Sequence, residues 1–171
     1  TYKPLPNTNP PKHTTQFDAF TDRVLPDVQE PILDAMPQLA YAGAVDNNGY
    51  FPTHNKKFSK PLTGDYDTDL VNNRTKRIFS DRTGKRCGAN TKPFLLQTYK
   101  RDTGEVMHDL SVPIYVNGKH WGGFRVGYRS SQAQEAAPGQ SVVPATAPTA
   151  KQLKQTVKTE NSKGLVRQIS A

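Results

Sequence analysis

Residues 93–129 read PFLLQTYKRDTGEVMHDLSVPIYVNGKHWGGFRVGYR, and this stretch decides the fold. Runs of apolar and β-branched residues alternate in it with two turn sequences, Asp102-Thr103-Gly104 and Asn117-Gly118. Asn, Asp and Gly favour such turns because they tolerate the positive φ angles that tight connections require. The stretch therefore predicts three consecutive strands joined as an antiparallel meander.

A further pair of strands is predicted upstream of the meander. Residues 39–51 have strand-like spacing that is interrupted by Asn48-Gly49, a hairpin signal, and Pro52 ends the second strand. Residues 59–92 are mostly polar and predict one or two short helices packed over the sheet. The fold class predicted from the residues is α+β, with a five-stranded antiparallel sheet and helices inserted between strands 2 and 3.

The two ends of the chain differ from this central region, residues 39–129. Residues 1–16 contain four prolines and predict an extended lead-in. Residues 17–38 predict helix from their three- and four-residue apolar spacing, with Pro26 and Pro31 dividing it into two short pieces. Residues 130–171 have the composition of a disordered linker and tail.

Composition and charge exclude several classes of function. No run of residues is apolar and long enough to span a membrane, and the beginning lacks the apolar core of a signal peptide, so we expect no membrane contact by this segment. The net charge is +8, but no ladder of aromatic residues for base stacking accompanies the basic residues between positions 74 and 92, as a single-stranded nucleic-acid site would require. A solvated helix face and an anion-facing pocket wall remain as interpretations of these basic residues.

Three strings together resemble the sensor module of bacterial methyl-accepting chemotaxis proteins. They are NNGYFPTHNKKFS from residue 47, NRTKRIFSDRTG from residue 73 and the whole stretch 93–129; YKPLPNTNP and FTDRVLPDVQEPIL extend the likeness to roughly residues 2–129. The closing hairpin is also similar to that of PAS and Cache domains. The resemblance implies a PAS/Cache-like sensor domain over residues 39–129, in the cytoplasmic, C-terminal part of a membrane-associated receptor. It also implies signal transduction without catalysis, a homodimer, and signalling helices as partners elsewhere in the receptor.

Sensor domains of this architecture hold a small molecule between the sheet and the inserted helices, in a mostly apolar cavity with a few polar groups. Strand alternation places Gln97, Tyr99 and Arg101 on one face as the better ligand-contacting set, and Phe94 and Leu96 on the other as the expected core pair. Because guanidinium groups bind carboxylates with two hydrogen bonds, Arg74, Arg77 and Arg101 are the expected contacts if the ligand is an organic acid. The candidate ligand-binding residues are Tyr50, His54, Asn55, Arg74, Arg77, Gln97, Tyr99, Arg101, His108 and Trp121.

Five of the candidates also have an ordinary structural role, which for Arg101 is pairing with Asp102 or Glu105 in the turn. His54 could bond a loop carbonyl, His108 a cross-strand neighbour, and Trp121 could pack in the core. Arg77 could pair with Asp81, four residues further along a helix. These alternatives stay open at the level of sequence.

Cofactor and enzyme functions have less support. The four histidines lack metal-ligand spacing and the chain has one cysteine, so no metal or cofactor is predicted, although non-covalent haem on His54 or His108 remains an alternative. The sequence has no nucleophile elbow and no phosphate-binding loop, so it is not expected to be an enzyme. A ligand-free dimerisation module is a further alternative, with Phe17, Phe20 and Val24 as its exposed apolar patch.

Overall fold

The computed structural model describes residues 1–129, which form an α+β fold with three α-helices and antiparallel sheets. The predicted disordered linker and tail, residues 130–171, lie outside the described residues. The elements in chain order are β1 (Lys3–Leu5), β2 (Lys12–Thr14), α1 (Asp18–Ala35), β3 (Leu39–Asp46), β4 (Tyr50–Phe51), a 3-10 turn (Lys56–Phe58), α2 (Tyr66–Asn72), β5 (Arg77–Ile78), α3 (Arg82–Ala89), β6 (Leu95–Lys100), β7 (Val106–Val116) and β8 (Lys119–Arg129).

The predicted meander is confirmed. Strands β6, β7 and β8 pair in sequence, and the main sheet has the order β3-β8-β7-β6 with every pair antiparallel. The β7–β8 turn places Asn117 at φ 50° and Gly118 at φ 75°, while Gly104 in the β6–β7 turn has φ 91°. Positive φ at these positions is what the turn residues were expected to permit.

The predicted five-stranded sheet is instead a four-stranded one. Strand β4 has only two residues before Pro52, and it pairs with β5 in a separate two-stranded sheet. Two side-chain amides occupy the free edge of β3: Asn55 Oδ1 accepts from Ala42 N at 2.9 Å, and Gln29 Oε1 accepts from Ala44 N at 3.1 Å. Because these backbone donors are satisfied by side chains, the edge of β3 does not need a fifth strand.

The N-terminal region differs from its prediction in the helix. Helix α1 is continuous over 18 residues and contains both Pro26 and Pro31, so the prediction of two short pieces was wrong. Tertiary packing outweighs the lost backbone hydrogen bonds, since Ile32 and Leu33 pack against the sheet. Residues 1–16, predicted as an extended lead-in, contain β1 and β2 paired with each other. Among residues 1–129 no helix has the length and apolarity needed to span a membrane.

The two faces of the main sheet bury different material. The outer face packs Leu39, Ala42 and Val126 against α1. The inner face is covered by α3 and by the segment around β4, with Phe51 and Cys87 buried against it. Glycines permit this close approach: a Cβ at Gly43 would meet the Phe51 ring at 2.4 Å, and one at Gly123 would meet the Cys87 carbonyl oxygen at 2.8 Å.

Candidate ligand-binding cleft

A cleft of about 390 Å³ lies over the inner face of the sheet. Its walls come from β3, the β4 region, the segment around β5, the end of β6 and β8. The lining residues are Tyr41, Phe51, His54, Arg74, Arg77, Ile78, Phe79, Ser80, Asp81, Tyr99, Lys100, Arg101, Asp102 and Arg125.

Two arginines enter the cleft from neighbouring positions, Arg74 in the connection between α2 and β5 and Arg77 at the start of β5. The guanidinium of Arg74 donates to both oxygens of Asp102, at 2.9 and 3.1 Å, and to the Leu70 carbonyl at 2.9 Å. Arg77 donates to the same carboxylate at 3.1 Å. One carboxylate therefore holds two cations, and this corner of the cleft keeps an excess positive charge.

The same connection is held from behind by the N-terminal strands. The ammonium of Lys12 donates to the side chain of Asn73 and to the Thr75 carbonyl, and His13 N donates to the Lys76 carbonyl at 2.8 Å. Burial, followed by the nearby positive charge of Arg77, lowers the pKa of Lys12 to about 8. Residues 73–77 thus point arginines into the cleft while their backbone is bound to β2.

Lys76 connects this segment to α1. Its backbone has φ 62°, and its ammonium lies 2.7 Å from an Asp22 carboxylate oxygen and 3.5 Å from one of Asp18. Arg77 and Lys76 are adjacent in the chain but contact the cleft and the helix respectively. Residues 76 and 77 therefore connect the cleft to the first turns of α1.

Aromatic rings orient the guanidinium groups. Arg74 and Arg77 lie over the Phe79 ring, 5.2 and 5.0 Å from its centroid, and Arg125 lies 5.4 Å from the Tyr41 centroid. Such stacking leaves the edge of a guanidinium available for hydrogen bonding. The cleft therefore presents cations that are already oriented, next to apolar ring surface.

A buried ion pair forms the base of the cleft. Arg125 Nε donates to Asp109 Oδ2 at 2.6 Å, and the Tyr41 hydroxyl donates to the same oxygen at 2.6 Å. Asp109 is fully buried, and its Oδ1 has no hydrogen-bond partner within residues 1–129. The hydroxyl of Tyr99 lies 3.1 Å from that of Tyr41, which brings a second tyrosine into the network.

His54 lies among the arginines of the cleft, and its imidazole is neutral there. Burial lowers its pKa well below the usual value, and Arg74 and Arg101 lower it further. Its Nδ1 accepts from Asn55 N at 2.8 Å, and its ring stacks on Phe51 with centroids 4.1 Å apart. Because Nδ1 is the acceptor, the proton of the neutral ring is on Nε2. This tautomer offers no lone pair at Nε2 to an iron atom, so the geometry does not fit His54 as a haem ligand.

Five of the ten predicted site residues line the cleft: His54, Arg74, Arg77, Tyr99 and Arg101. On the other face of the same strand, the predicted core pair was wrong. Phe94 and Leu96 are 57% and 55% exposed and do not form a core pair.

The remaining five predicted residues do not line the cleft. Tyr50 is buried beneath the N-terminal strands, where its hydroxyl donates to Asp18 at 3.0 Å. Asn55 satisfies the edge of β3, as described above. Gln97 is on the inner face but donates to the Thr83 carbonyl at 3.1 Å.

His108 and Trp121 also have structural roles. His108 lies on the outer face, with Nδ1 2.9 Å from Thr98 Oγ1 on the neighbouring strand, as the cross-strand alternative proposed. Trp121 packs edge-to-face on Phe17, with centroids 5.8 Å apart. The position of His108 on the outer face also removes it from the cleft as a haem ligand.

Sequence reasoning missed Tyr41, Asp109 and Arg125. Alternation would have placed Arg125 on the inner face of β8 between Gly123 and Gly127, where small neighbours leave room for a large polar side chain. The partners of that side chain are on other strands, and no local pattern predicted them.

The described part of the chain has no group of three or more His, Cys, Asp or Glu side chains suited to a metal ion. No protein-family model matches this chain, and no curated protein or solved structure matches it.

Proposed function

We propose that this region is a ligand-binding sensory module that takes a small organic anion in the arginine-lined cleft. The observation that carries the proposal is the convergence of Arg74, Arg77, Arg101 and Arg125 on one cleft with aromatic walls. Its volume of about 390 Å³ is within the range of small-molecule sites. The proposed action is binding without catalysis.

The charge balance supports an anion in particular. Five cationic side chains line the cleft together with the carboxylates of Asp81 and Asp102, and two of the five pair with carboxylates outside the lining, Arg101 with Glu105 and Arg125 with Asp109, so the positive charges exceed the negative ones by one. Arg74 is almost fully buried and already pairs with Asp102, and Arg77 shares that carboxylate, so these two guanidiniums have one counter-charge between them. The lowered pKa of His54, which the arginines depress further, indicates the same positive potential.

The receptor context is part of the proposal and rests on the sequence resemblance. We propose a PAS/Cache-like module of a methyl-accepting chemotaxis receptor, cytoplasmic, homodimeric and coupled to signalling helices elsewhere in the protein. The order of elements supports it, since helices precede a closing three-stranded meander. The contacts of Lys76 with α1 offer a physical route from the cleft to a helix.

The test is isothermal titration of the full chain with inorganic phosphate, citrate, succinate, L-malate and benzoate. Arg77→Met should weaken the binding of an accepted anion by about 10-fold or more, because it removes a charge-assisted donor. Arg82→Met makes the same charge change on an exposed residue outside the cleft and should leave the affinity within about 2-fold. Equal effects of the two variants, or no binding by any of the five anions, would reject the proposal.

A ligand-free interaction module is a second candidate because the outer face of the sheet is partly uncovered. Phe94, Leu96 and Val112 are exposed there, and on α1 so is Phe20, while Phe17 is instead packed on Trp121. Sedimentation velocity of the full chain tests it: Leu96→Lys should convert a dimer to a monomer. A wild type that sediments as a monomer would reject this candidate.

A further inference from the structure

The hydrogen bonds at the base of the cleft have a fixed direction. The Asp109 carboxylate is paired with Arg125 and accepts only, so the single hydroxyl hydrogen of Tyr41 is committed to it at 2.6 Å. In the 3.1 Å contact between the two tyrosine hydroxyls, the hydrogen must then come from Tyr99. The Tyr99 oxygen therefore faces the cleft as an acceptor with unused lone pairs.

Most other polar side chains that line the cleft are donors, apart from Ser80, Asp81 and Asp102; Asp109, whose Oδ1 also lacks a partner, is fully buried and does not line the cleft. His54 carries its proton on Nε2, and the arginines have no acceptor atoms. Both oxygens of Asp102 are already bonded to Arg74 and Arg77, and Asp81 lies at the exposed rim, where it accepts from backbone N–H groups of α3. Tyr99 is thus the oriented acceptor among donors.

We propose that the cleft selects a hydroxy acid, whose carboxylate binds the arginines and whose hydroxyl group donates to the Tyr99 oxygen. This inference rests on the proposed anion-binding function and names its ligand class. A neutral hydroxyl suits the position next to Tyr99 better than an ammonium group, because the four surrounding guanidiniums repel an additional positive charge. Tyr99 is then a specificity-determining residue.

Two matched sets of acids test the selection on the full chain by titration calorimetry. The first is L-malate, succinate and L-aspartate, and the second is L-lactate, propionate and L-alanine; each set varies only the substituent at one carbon. In at least one set the hydroxy acid should bind about 10-fold more tightly than the acid without a substituent, the contribution of one hydrogen bond. Tyr99→Phe should reduce that ratio to about one.

The outcomes separate this inference from the function on which it rests. If neither these acids nor phosphate, citrate or benzoate bind, the anion-binding function itself fails. If the hydroxy acid is not preferred in either set, or if Tyr99→Phe keeps the preference, anion binding stands and the role of Tyr99 is overturned. Tightest binding of aspartate or alanine, or binding of phosphate alone, also overturns the hydroxy-acid assignment.

Discussion

Replacement of Asp109 by Asn tests the buried network at the base of the cleft most directly. Asp109 is fully buried and the Arg125 side chain is 5% exposed, so the variant leaves a guanidinium without its counter-charge in a nearly dry site. Removing one partner of such a pair costs about 3–5 kcal/mol. Asn has the same shape and still accepts from Tyr41, so the loss reports the charge rather than a cavity. Urea denaturation of the full chain, followed by circular dichroism, measures the free energy of unfolding.

Two further variants interpret the result. Asp22→Asn removes a half-exposed carboxylate from its pair with Lys76 and should cost less than about 1 kcal/mol. The double variant Asp109→Asn with Arg125→Met removes the orphaned charge and should recover part of the loss. A loss below about 1 kcal/mol for Asp109→Asn, or a double variant less stable than the single, would refute the reasoning.

Three other predictions concern stability. Burial lowers the pKa of Lys12 to about 8, so the unfolded chain keeps this proton to higher pH than the folded chain does. Between about pH 7.5 and about pH 10 the free energy of unfolding of the wild type, measured with urea, should therefore rise by about 2 kcal/mol relative to Lys12→Met. A difference that stays constant with pH would contradict this prediction. Because the pKa of His54 is lowered in the folded protein, the unfolded chain takes up this proton at a higher pH than the folded chain does. As the pH falls from about 7.5 to about 5.5, the free energy of unfolding of the wild type should therefore fall by about 1 kcal/mol relative to His54→Gln. Gly122→Ala would place a Cβ 2.0 Å from the Val45 carbonyl oxygen, and in thermal unfolding it should cost more than about 2 kcal/mol of stability. Gly64 has open space around it and φ 85°, so Gly64→Ala should cost about 1 kcal/mol. Equal losses for the two variants would argue against the close strand contact at Gly122.

Alternation in β6 is an example of how far local pattern leads toward the site. It correctly grouped Tyr99 and Arg101 on the face that lines the cleft, because successive side chains of a strand point to opposite sides. It could not say that Gln97, on the same face, would be used by the Thr83 carbonyl. That contact depends on where α3 lies over the sheet, which involves residues distant in sequence.

His54 shows a second limit. Its position after Pro52 suggested a side chain aimed by a fixed loop, and the structure does place it in the cleft. Its tautomer depends on the backbone N–H of Asn55, and its lowered pKa depends on burial and then on arginines from three other segments. The sequence alone therefore identifies His54 as a candidate but does not show that its Nε2 carries the proton.

Turns, strand order in the meander and the α+β class followed from the sequence because they depend on neighbouring residues: positive φ at Asn117 and Gly118 is a property of the residues themselves. Tertiary structure alone decided which faces and edges were covered. The amides of Gln29 and Asn55 took the edge of β3 from the expected fifth strand, and α1 remained continuous through two prolines because packing outweighed local preference. The tertiary structure also brought Tyr41, Asp109 and Arg125 together from three strands. Burial and charge pairing are sums over contacts distant in the chain, so no local pattern contains them.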